Sequence, residues 1–453
     1  MNFADLWEIL SLRNYNTRIV ILSTTILGIA TGLVGSFLLL RKRSLMGDAL
    51  SHATLPGIAI AFGLMSHWGF DGKSLPALLC GATISGVLGV LLMLAIRRTT
   101  RLRDDVAMGL VLSVFFGMGI ALMTMVQEIP GASAAGLESF IYGQPASIVL
   151  SDFVLITVVS IIISITTALL FKEFTILCFD DGFAASQGWS AVLLDVTLLA
   201  LVTAVTVIGL QSVGLILIIA FLITPPTTAR FWTNNLKHMA ILSGIFGALS
   251  GWLGSTMSAL YVKLPAGALI VLVAATLFLI SMLFAPTRGV LPRALRQKRL
   301  RQKVARQHVL RAAYEILEQQ SDHQHAPNEG PHLVDNRAIT FDSILAKRTW
   351  SPRALKAILR AEHRLEHLER RADGTILLSE AGFGEAARVT RNHRLWEAYL
   401  VTHADIAPSH VDRDADMVEH VLDPELVREL ERVLREKEAW VAMPPSPHSI
   451  PAS

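Results

Sequence analysis

Between Ile19 and Ala285 the chain is a succession of long apolar runs parted by short polar breaks. That feature limits the fold more than any motif. A bilayer core of ~30 Å is crossed by about 20 apolar residues in helical form, and helices satisfy every backbone group within themselves. The runs are Ile19–Leu40, Ala49–Met65, Pro76–Ile96, Val106–Val126, Ile148–Phe171, Leu193–Ile208, Val213–Ile223, His238–Met257 and Ala266–Phe284. The sixth and seventh are short. The stretch that holds them is interrupted around Gly209, Gln211 and Gly214, and reads as a hairpin pair or as one long kinked unit. Such breaks occur where backbone is buried in protein or lines a wet path.

From about Arg288 onward the chain turns charged and His-rich, so its two parts live in different solvents. Over the whole chain only 17% of residues are charged, against about a quarter in soluble domains. The net charge of +3 is too small to imply nucleic-acid binding by the chain as a whole. The two cysteines, Cys80 and Cys178, supply neither a disulfide framework nor a metal cluster, and read as packing residues. The N-terminus lacks a secretory signal pattern. Its Phe3, Leu6, Trp7, Ile9 and Leu10, followed by Arg13 and Arg18, suit an interfacial helix.

Basic residues mark the sides of the membrane. Arg41, Lys42 and Arg43 follow the first run and Arg97, Arg98, Arg101 and Arg103 the third. Lys172 follows the fifth run, Arg230 and Lys237 the seventh, and a dense basic stretch the last. The intervening loops, 66–75 and 127–147, hold only Lys73. With an outside N-terminus and nine spans crossed, all of these fall on one side and the C-terminal third is cytoplasmic, in a multi-pass protein of the cell membrane.

Asp48 and His52 are spaced i, i+4 at the start of the second run, so they stack on one helical face. A carboxylate and an imidazole are a donor pair that Mn²⁺, Fe²⁺ and Zn²⁺ accept, and ionisable groups at membrane depth are costly enough to suggest function. An N-cap at Asp48 with a hydrogen-bonded His52 near the interface is the other reading of the pair. Asp195, Thr203 and Gln211 read as packing or inter-helix hydrogen-bonding residues rather than as path lining.

The stretch from Gly35 to Gly57 closely resembles the permeases of the manganese, zinc and iron ABC importers, whose second helix carries such an Asp–His pair. Phe179 to Trp189 looks like that family's coupling segment, a short helix that docks in a groove of the ATPase, with Phe179, Asp180, Asp181, Ala184 and Gly188 as its residues. Gly209 to Arg230, with Pro225, Pro226 and Ala229, and Leu264 to Ala268 are similar to two further family motifs. The resemblance covers roughly Gly35 to Phe284. It implies an all-α polytopic bundle of about eight or nine spans, with Asp48 and His52 as metal site or gate. It also implies pairing with a second permease copy or paralogue, two cytoplasmic ABC ATPases, and an extracytoplasmic metal-binding protein. The chain has no phosphate-cradling Gly-x-x-x-x-Gly-Lys loop, so on this reading it is a transport subunit and not an enzyme, and ATP is hydrolysed elsewhere. A secondary metal transporter with no ATPase is the rival, and the coupling segment argues against it.

In the tail, eight basic residues and no acidic one lie between Arg293 and Arg311. Arg293–Lys303 reads as a collar attracted to anionic membrane lipid. From Gln302 the pattern is an amphipathic helix with Val304, Val309, Leu310, Ala313, Ile316 and Leu317 on one face, ending near Glu318. Ser321–Asp335 reads as a plain loop despite its three histidines. Ile339–Lys347 then reads as a short helix, Thr349–Ser351 as a turn, and Pro352–Leu368 as a second helix with Pro352 at N1. Arg353, Lys356 and Arg360 share a face of that helix, and Arg370 and Arg371 begin a wing closed by the strand Thr375–Leu378. Helix, turn, basic helix and basic wing form the winged variant of helix-turn-helix, whose second helix enters the major groove of operator DNA. A solvated charged helix pair is the alternative.

Leu378 to Leu400 and Asp414 to Leu426 resemble the diphtheria-toxin-repressor family, which senses iron or manganese. That resemblance implies a helical metal-binding and dimerisation domain. His308, Asp416, Glu419 and His420 would form its primary site, and His393 with Glu397 an ancillary one. Asp416 stands where iron sensors have Cys and manganese sensors Glu, and Asp412 where iron sensors have His. The chain therefore divides into an interfacial segment (1–18), a membrane permease domain (19–286), a basic linker (287–303), a winged-helix domain (304–380), a metal-binding and dimerisation domain (381–440) and a disordered tail (441–453). Three roles for the tail follow: a metal-reporting brake on import, a genuine metal-dependent repressor, or a dimerisation module only.

Overall fold

The computed structural model describes residues 14–43, 45–68, 75–127, 148–261, 264–322, 338–403 and 424–436. It falls into two compact units, Met1–Arg293 and Ala294–Ser453.

The first unit is a helical bundle. Its elements are α1 (Tyr15–Leu40), α2 (Met46–His67), α3 (Leu75–Thr99), α4 (Asp104–Gln127), α5 (Leu150–Leu169), α6 (Phe171–Phe179), α7 (Asp181–Ser186), α8 (Ala191–Val213), α9 (Leu215–Trp232), α10 (Leu236–Leu260) and α11 (Ala266–Phe284). Among the described residues eight helices are long and apolar enough to cross a membrane, with Ile216–Trp232 as a shorter apolar helix. In α1 and α2 67% of the apolar window is buried, against 22% in α5 and α11. The bundle therefore centres on α1 and α2, and α5 and α11 turn most of their surface outward, which explains why their side chains are apolar all round.

Small residues set the closest crossings, as expected where lipid gives helices no hydrophobic reason to associate. Along the α1–α10 seam a Cβ on Gly28 would run into the Gly247 carbonyl, and one on Gly247 into the Gly28 carbonyl. Thr24 Oγ1 and Ser255 Oγ lie 2.9 Å apart on the same seam, and Ser243 donates to the Gly32 carbonyl. Gly57 of α2 and Gly81 of α3 meet in the same way, and Ser85 Oγ donates to the Ala53 carbonyl at 2.6 Å.

The interrupted stretch resolves into α8 and α9, parted at Gly214 with φ +85°, a backbone that glycine adopts without a Cβ penalty. α8 runs straight through Gly209, and α9 continues through Pro225 and Pro226 beyond the expected end at Ile223. Cys80 is exposed on α3 rather than packed inside, because that stretch of the helix faces outward; Cys178 is half-buried against the Phe37 carbonyl.

The second unit contains most of α12 (Val290–Asp322), then β1 (Ala338–Ile339), α13 (Phe341–Lys347), α14 (Pro352–Arg364), β2 (Leu368–Arg370), β3 (Ile376–Leu378), α15 (Glu380–His403) and α16 (Pro424–Glu436). The strands form an antiparallel sheet in the order β1-β3-β2. Val309, Leu310, Ala313, Ile316 and Leu317 of α12 pack on Ile339, Ile344, Leu355, Leu368, Ile376 and Leu378. The expected face of the first tail helix is thus the core face, with only Val304 half-buried. Three boundaries differ from expectation. α12 starts at Val290, so the basic collar is itself helical. Ile339 pairs with Ile376 in the sheet instead of opening a helix. α14 stops at Arg364, since Glu366 takes a left-handed φ of +61° and sends Leu368 into β2.

Candidate functional site

Asp48 and His52 lie in the first two turns of α2, a helix that starts without a side-chain cap at Leu45. Asp48 caps nothing there; its Oδ1 lies 3.3 Å from His52 Nε2, and both side chains keep some exposure. The His52 ring stands edge-on to Phe116 of α4, with centroids 4.8 Å apart. Its Nδ1 is buried, and nothing among the described residues bonds to it. A buried polar atom left unsatisfied costs about 1–3 kcal/mol, so a ring with one nitrogen unbonded and a carboxylate at the other is poorly explained as packing alone. One turn on, Pro56 has no N–H to give the His52 carbonyl.

The expected docking segment is a compact helical corner. Asp180 is the N-cap of α7, accepting from the Gly182 and Phe183 amides at 2.8 and 3.1 Å. Ala184 is fully buried beneath it. Gly188, at φ +83°, ends the turn, and the Asp181 side chain lies outside the described residues. Phe179, Phe183 and Trp189 remain exposed, Phe179 at 77%. Three aromatic side chains thus stand in the open around one short helix.

Between these sites lies a cluster that sequence reasoning treated only as orientation markers and a packing residue. Asp195, on the second turn of α8, is buried and accepts from Arg43 Nη1 at 2.7 and 2.8 Å, Arg41 Nη2 at 3.2 Å and Arg97 Nη1 at 3.3 Å. Its inter-helix bonding role is as expected; the convergence of three guanidiniums is not. The available signal was a lone Asp in an apolar run, with arginines at the ends of two other runs. Thr203 bonds within its own helix, to the Leu199 carbonyl at 2.8 Å, and the Gln211 side chain lies outside the described residues.

In the tail unit His393 and Glu397 share a face of α15, fully buried, with Nε2 and Oε1 3.2 Å apart. Arg311 Nη1 sits 2.8 Å from His393 Nδ1, and Arg348 Nη1 sits 2.7 Å from His308 Nδ1. A guanidinium only donates, so each ring accepts through Nδ1. Imidazole and carboxylate are donors a divalent ion accepts, yet the ring would turn its Nε2 lone pair outward only if Arg311 released Nδ1. Asp416, Glu419 and His420 lie outside the described residues, as does Asp412. Among the described residues no three His, Cys, Asp or Glu side chains gather as one site.

Nearby charges are well paired. Arg394 clasps Glu318; burial pushes its guanidinium down most strongly, but Glu318 together with Glu315 and Tyr314 carries the net shift upward. Burial, with Glu318 adding, raises the Tyr314 phenol. Glu362, fully buried in α14, takes Arg306 on one oxygen and His367 Nδ1 at 2.7 Å on the other.

Arg353, Lys356 and Arg360 are all exposed on α14, and Arg371 is exposed in the β2–β3 turn. Lys356 Nζ stands 5.8 Å over the Phe341 ring. A groove of roughly 910 Å³ runs between α12 and α14, with Lys298, Arg299, Arg301 and Lys303 opposite Ala354, Ala357 and Ile358. Basic side chains line its α12 wall, while most of the surface it exposes is apolar.

Residues 14–285 match the model of the ABC 3 transport family. Residues 379–439 match that of the iron dependent repressor, metal binding and dimerisation domain. The manganese transport system membrane protein MntC of Bacillus subtilis is 39% identical over 91% of this chain and 90% of its own length, so the likeness reaches well into the tail. The zinc transport system membrane protein TroC of Treponema pallidum is 44% identical over 63% of this chain and 95% of its own. The solved structure of PsaBC from Streptococcus pneumoniae in complex with Fab covers 64% of this chain and 99% of its own, at 33% identity and a TM-score of 0.54. With its bundle of apolar helices and these relatives, the chain is a multi-pass membrane protein that belongs to the ABC 3 transport family and carries a C-terminal segment of the iron dependent repressor type.

Proposed function

We propose that this chain is the permease of an ATP-driven importer of a divalent transition metal ion, Mn²⁺, Zn²⁺ or Fe²⁺, and that Asp48 and His52 bind the ion in its path. The observation that carries the site is the buried, unbonded Nδ1 of His52 with the Asp48 carboxylate on the opposite ring nitrogen. The names of the relatives, manganese and zinc transport proteins, favour the cargo class. α7 with Phe179, Asp180, Asp181, Ala184 and Gly188 is the docking segment for a separate cytoplasmic ABC ATPase. An extracytoplasmic metal-binding protein delivers the ion, and a second permease copy or paralogue completes the pathway. The basic loops favour a cytoplasmic tail, and the sixfold division of the chain belongs to the same reading.

The tail serves as a metal-dependent regulatory domain that takes Mn²⁺, Fe²⁺ or Zn²⁺ at a primary site of His308, Asp416, Glu419 and His420 and at an ancillary site of His393 and Glu397. A second reading makes it a genuine repressor that binds operator DNA. Arg353, Lys356 and Arg360 on one open face of α14, with Arg371 in the wing, favour it.

The test is uptake of radiolabelled Mn²⁺ and Zn²⁺ by cells carrying the permease, its ATPase and its binding protein. Asp48→Ala and His52→Ala should each abolish uptake with the protein still folded in the membrane. Full uptake by both variants would sink the site, and uptake without any ATPase would sink the ATP-driven reading.

A further inference from the structure

Asp195 is more heavily engaged than stability requires, since one carboxylate faces three guanidiniums. Buried ion pairs are poor stabilisers compared with apolar packing, so the arrangement calls for another account. What it joins is informative. Arg41 closes α1, and Arg43 lies in the turn between α1 and α2. The Arg43 carbonyl accepts from the Met46 amide at 2.9 Å, fixing the start of α2 two residues before Asp48.

The same turn is held on both sides of the docking segment. Through Nη2 Arg41 reaches Asp195, just after α7 on α8; through Nη1 it donates to the Leu177 carbonyl at 2.9 Å, just before α7 on α6. Cys178 adds a contact to the Phe37 carbonyl at 3.7 Å. Between the two arginines Lys42 is held at φ +58°, a sparsely populated conformation for a residue other than glycine, which persists where its surroundings impose it. Contacts therefore run without a gap from α7 through α6 and α8 to Arg41 and Arg43, and on to the helix that carries the metal pair. Packed chains of this kind carry coupling between sites.

We propose that Asp195, acting through Arg41 and Arg43, is a positioning residue that transmits movement of the docking segment to Asp48 and His52. This rests on the reading of the chain as an ATPase-coupled metal permease. The test is the amount of Mn²⁺ taken up per ATP hydrolysed by the complete transporter, permease with its ATPase and binding protein, in liposomes. Asp195→Asn keeps the shape and removes the charge. It should leave hydrolysis within about twofold of wild type and lower uptake per ATP about tenfold, inside the ~5–150-fold range usual for coupled sites. Arg41→Gln, which leaves the Arg43–Asp195 pair in place, should shift the ratio the same way, and decides the matter if Asp195→Asn fails to assemble. A merely structural role would lower uptake and hydrolysis in proportion. That result, or an unchanged ratio, overturns the proposal. A wild-type complex that moves no Mn²⁺ or Zn²⁺ overturns the permease reading beneath it, whereas a working wild type with proportional losses overturns this link alone.

Discussion

Gly119 and Gly117 lie two residues apart on α4 and face opposite surroundings, which makes them a matched test of how tightly α4 holds α2, the helix of the proposed metal pair. A Cβ at Gly119 would come 2.7 Å from Leu55 Cβ and 3.3 Å from Pro56 Cδ, whereas a Cβ at Gly117 meets nothing within 4 Å. Leu55 Cβ is fixed by its backbone, so Gly119→Ala must push α2 and α4 apart by about 0.7 Å to regain ordinary contact at 3.4 Å. Overpacking of this kind costs about 1–3 kcal/mol. Gly117→Ala gains at most about 0.5–1 kcal/mol of helix preference. The difference between the two variants isolates the clash, and corresponds to a factor of about 5–150 in the folded ratio. Unfolding in mixed dodecyl sulfate and mild-detergent micelles, followed by helical circular dichroism, would read it. Because Leu55 is three residues from His52, and Phe116 of α4 packs on that ring, Gly119→Ala should also weaken Mn²⁺ uptake while Gly117→Ala leaves it intact. Equal unfolding midpoints for the two variants would refute the claim that this crossing is close-packed.

Other expectations concern the tail. Replacing His393 and Glu397 together by Ala should reduce the Mn²⁺ bound per full-length chain in equilibrium dialysis; unchanged binding removes the ancillary site. If the tail reads DNA, converting Arg353, Lys356 and Arg360 to Ala should weaken operator binding by the detergent-solubilised protein at least tenfold. The salt dependence should flatten as well, because fewer phosphates are neutralised and fewer counterions released. No gel shift by wild type under Mn²⁺, Fe²⁺ or Zn²⁺ removes the repressor reading. The Arg388 hydrogen bond holds the Glu385 carboxyl below the ordinary carboxylate range, against the upward push of burial. A depressed folded value contributes stability that is present above the ordinary range and lost as pH falls through the folded value. Arg388→Ala should therefore make hydrogen exchange in α15 less sensitive to acid below that range, while an unaltered acid dependence would show that the pair contributes nothing.

The membrane spans were legible because length and hydropathy are nearly sufficient in a solvent that forbids unpaired backbone. Span ends were less so. The seventh run was read as ending at Ile223, yet α9 continues through Pro225 and Pro226, since tertiary packing overrides helix propensity. In the tail the core face of α12 was plain from its periodicity, while β1 was hidden: two residues pairing with a strand almost 40 positions away leave no local pattern. The Asp48–His52 pair could be read from its spacing. The Asp195 cluster could not, because Arg41, Arg97 and Asp195 converge only when three separate helices end together, and a basic loop is ordinarily explained by membrane sidedness alone.

The α1–α10 seam has a consequence for the history of such chains. At Gly28 and Gly247 each backbone occupies the volume a neighbouring side chain would need, so the alphabet permitted there is close to a single letter, while the outward faces of α5 and α11 accept almost any apolar residue. Distant descendants should thus drift rapidly along their lipid-facing spans and stand nearly still along this seam, leaving a spaced glycine signature by which very divergent members could be aligned after motif similarity has faded.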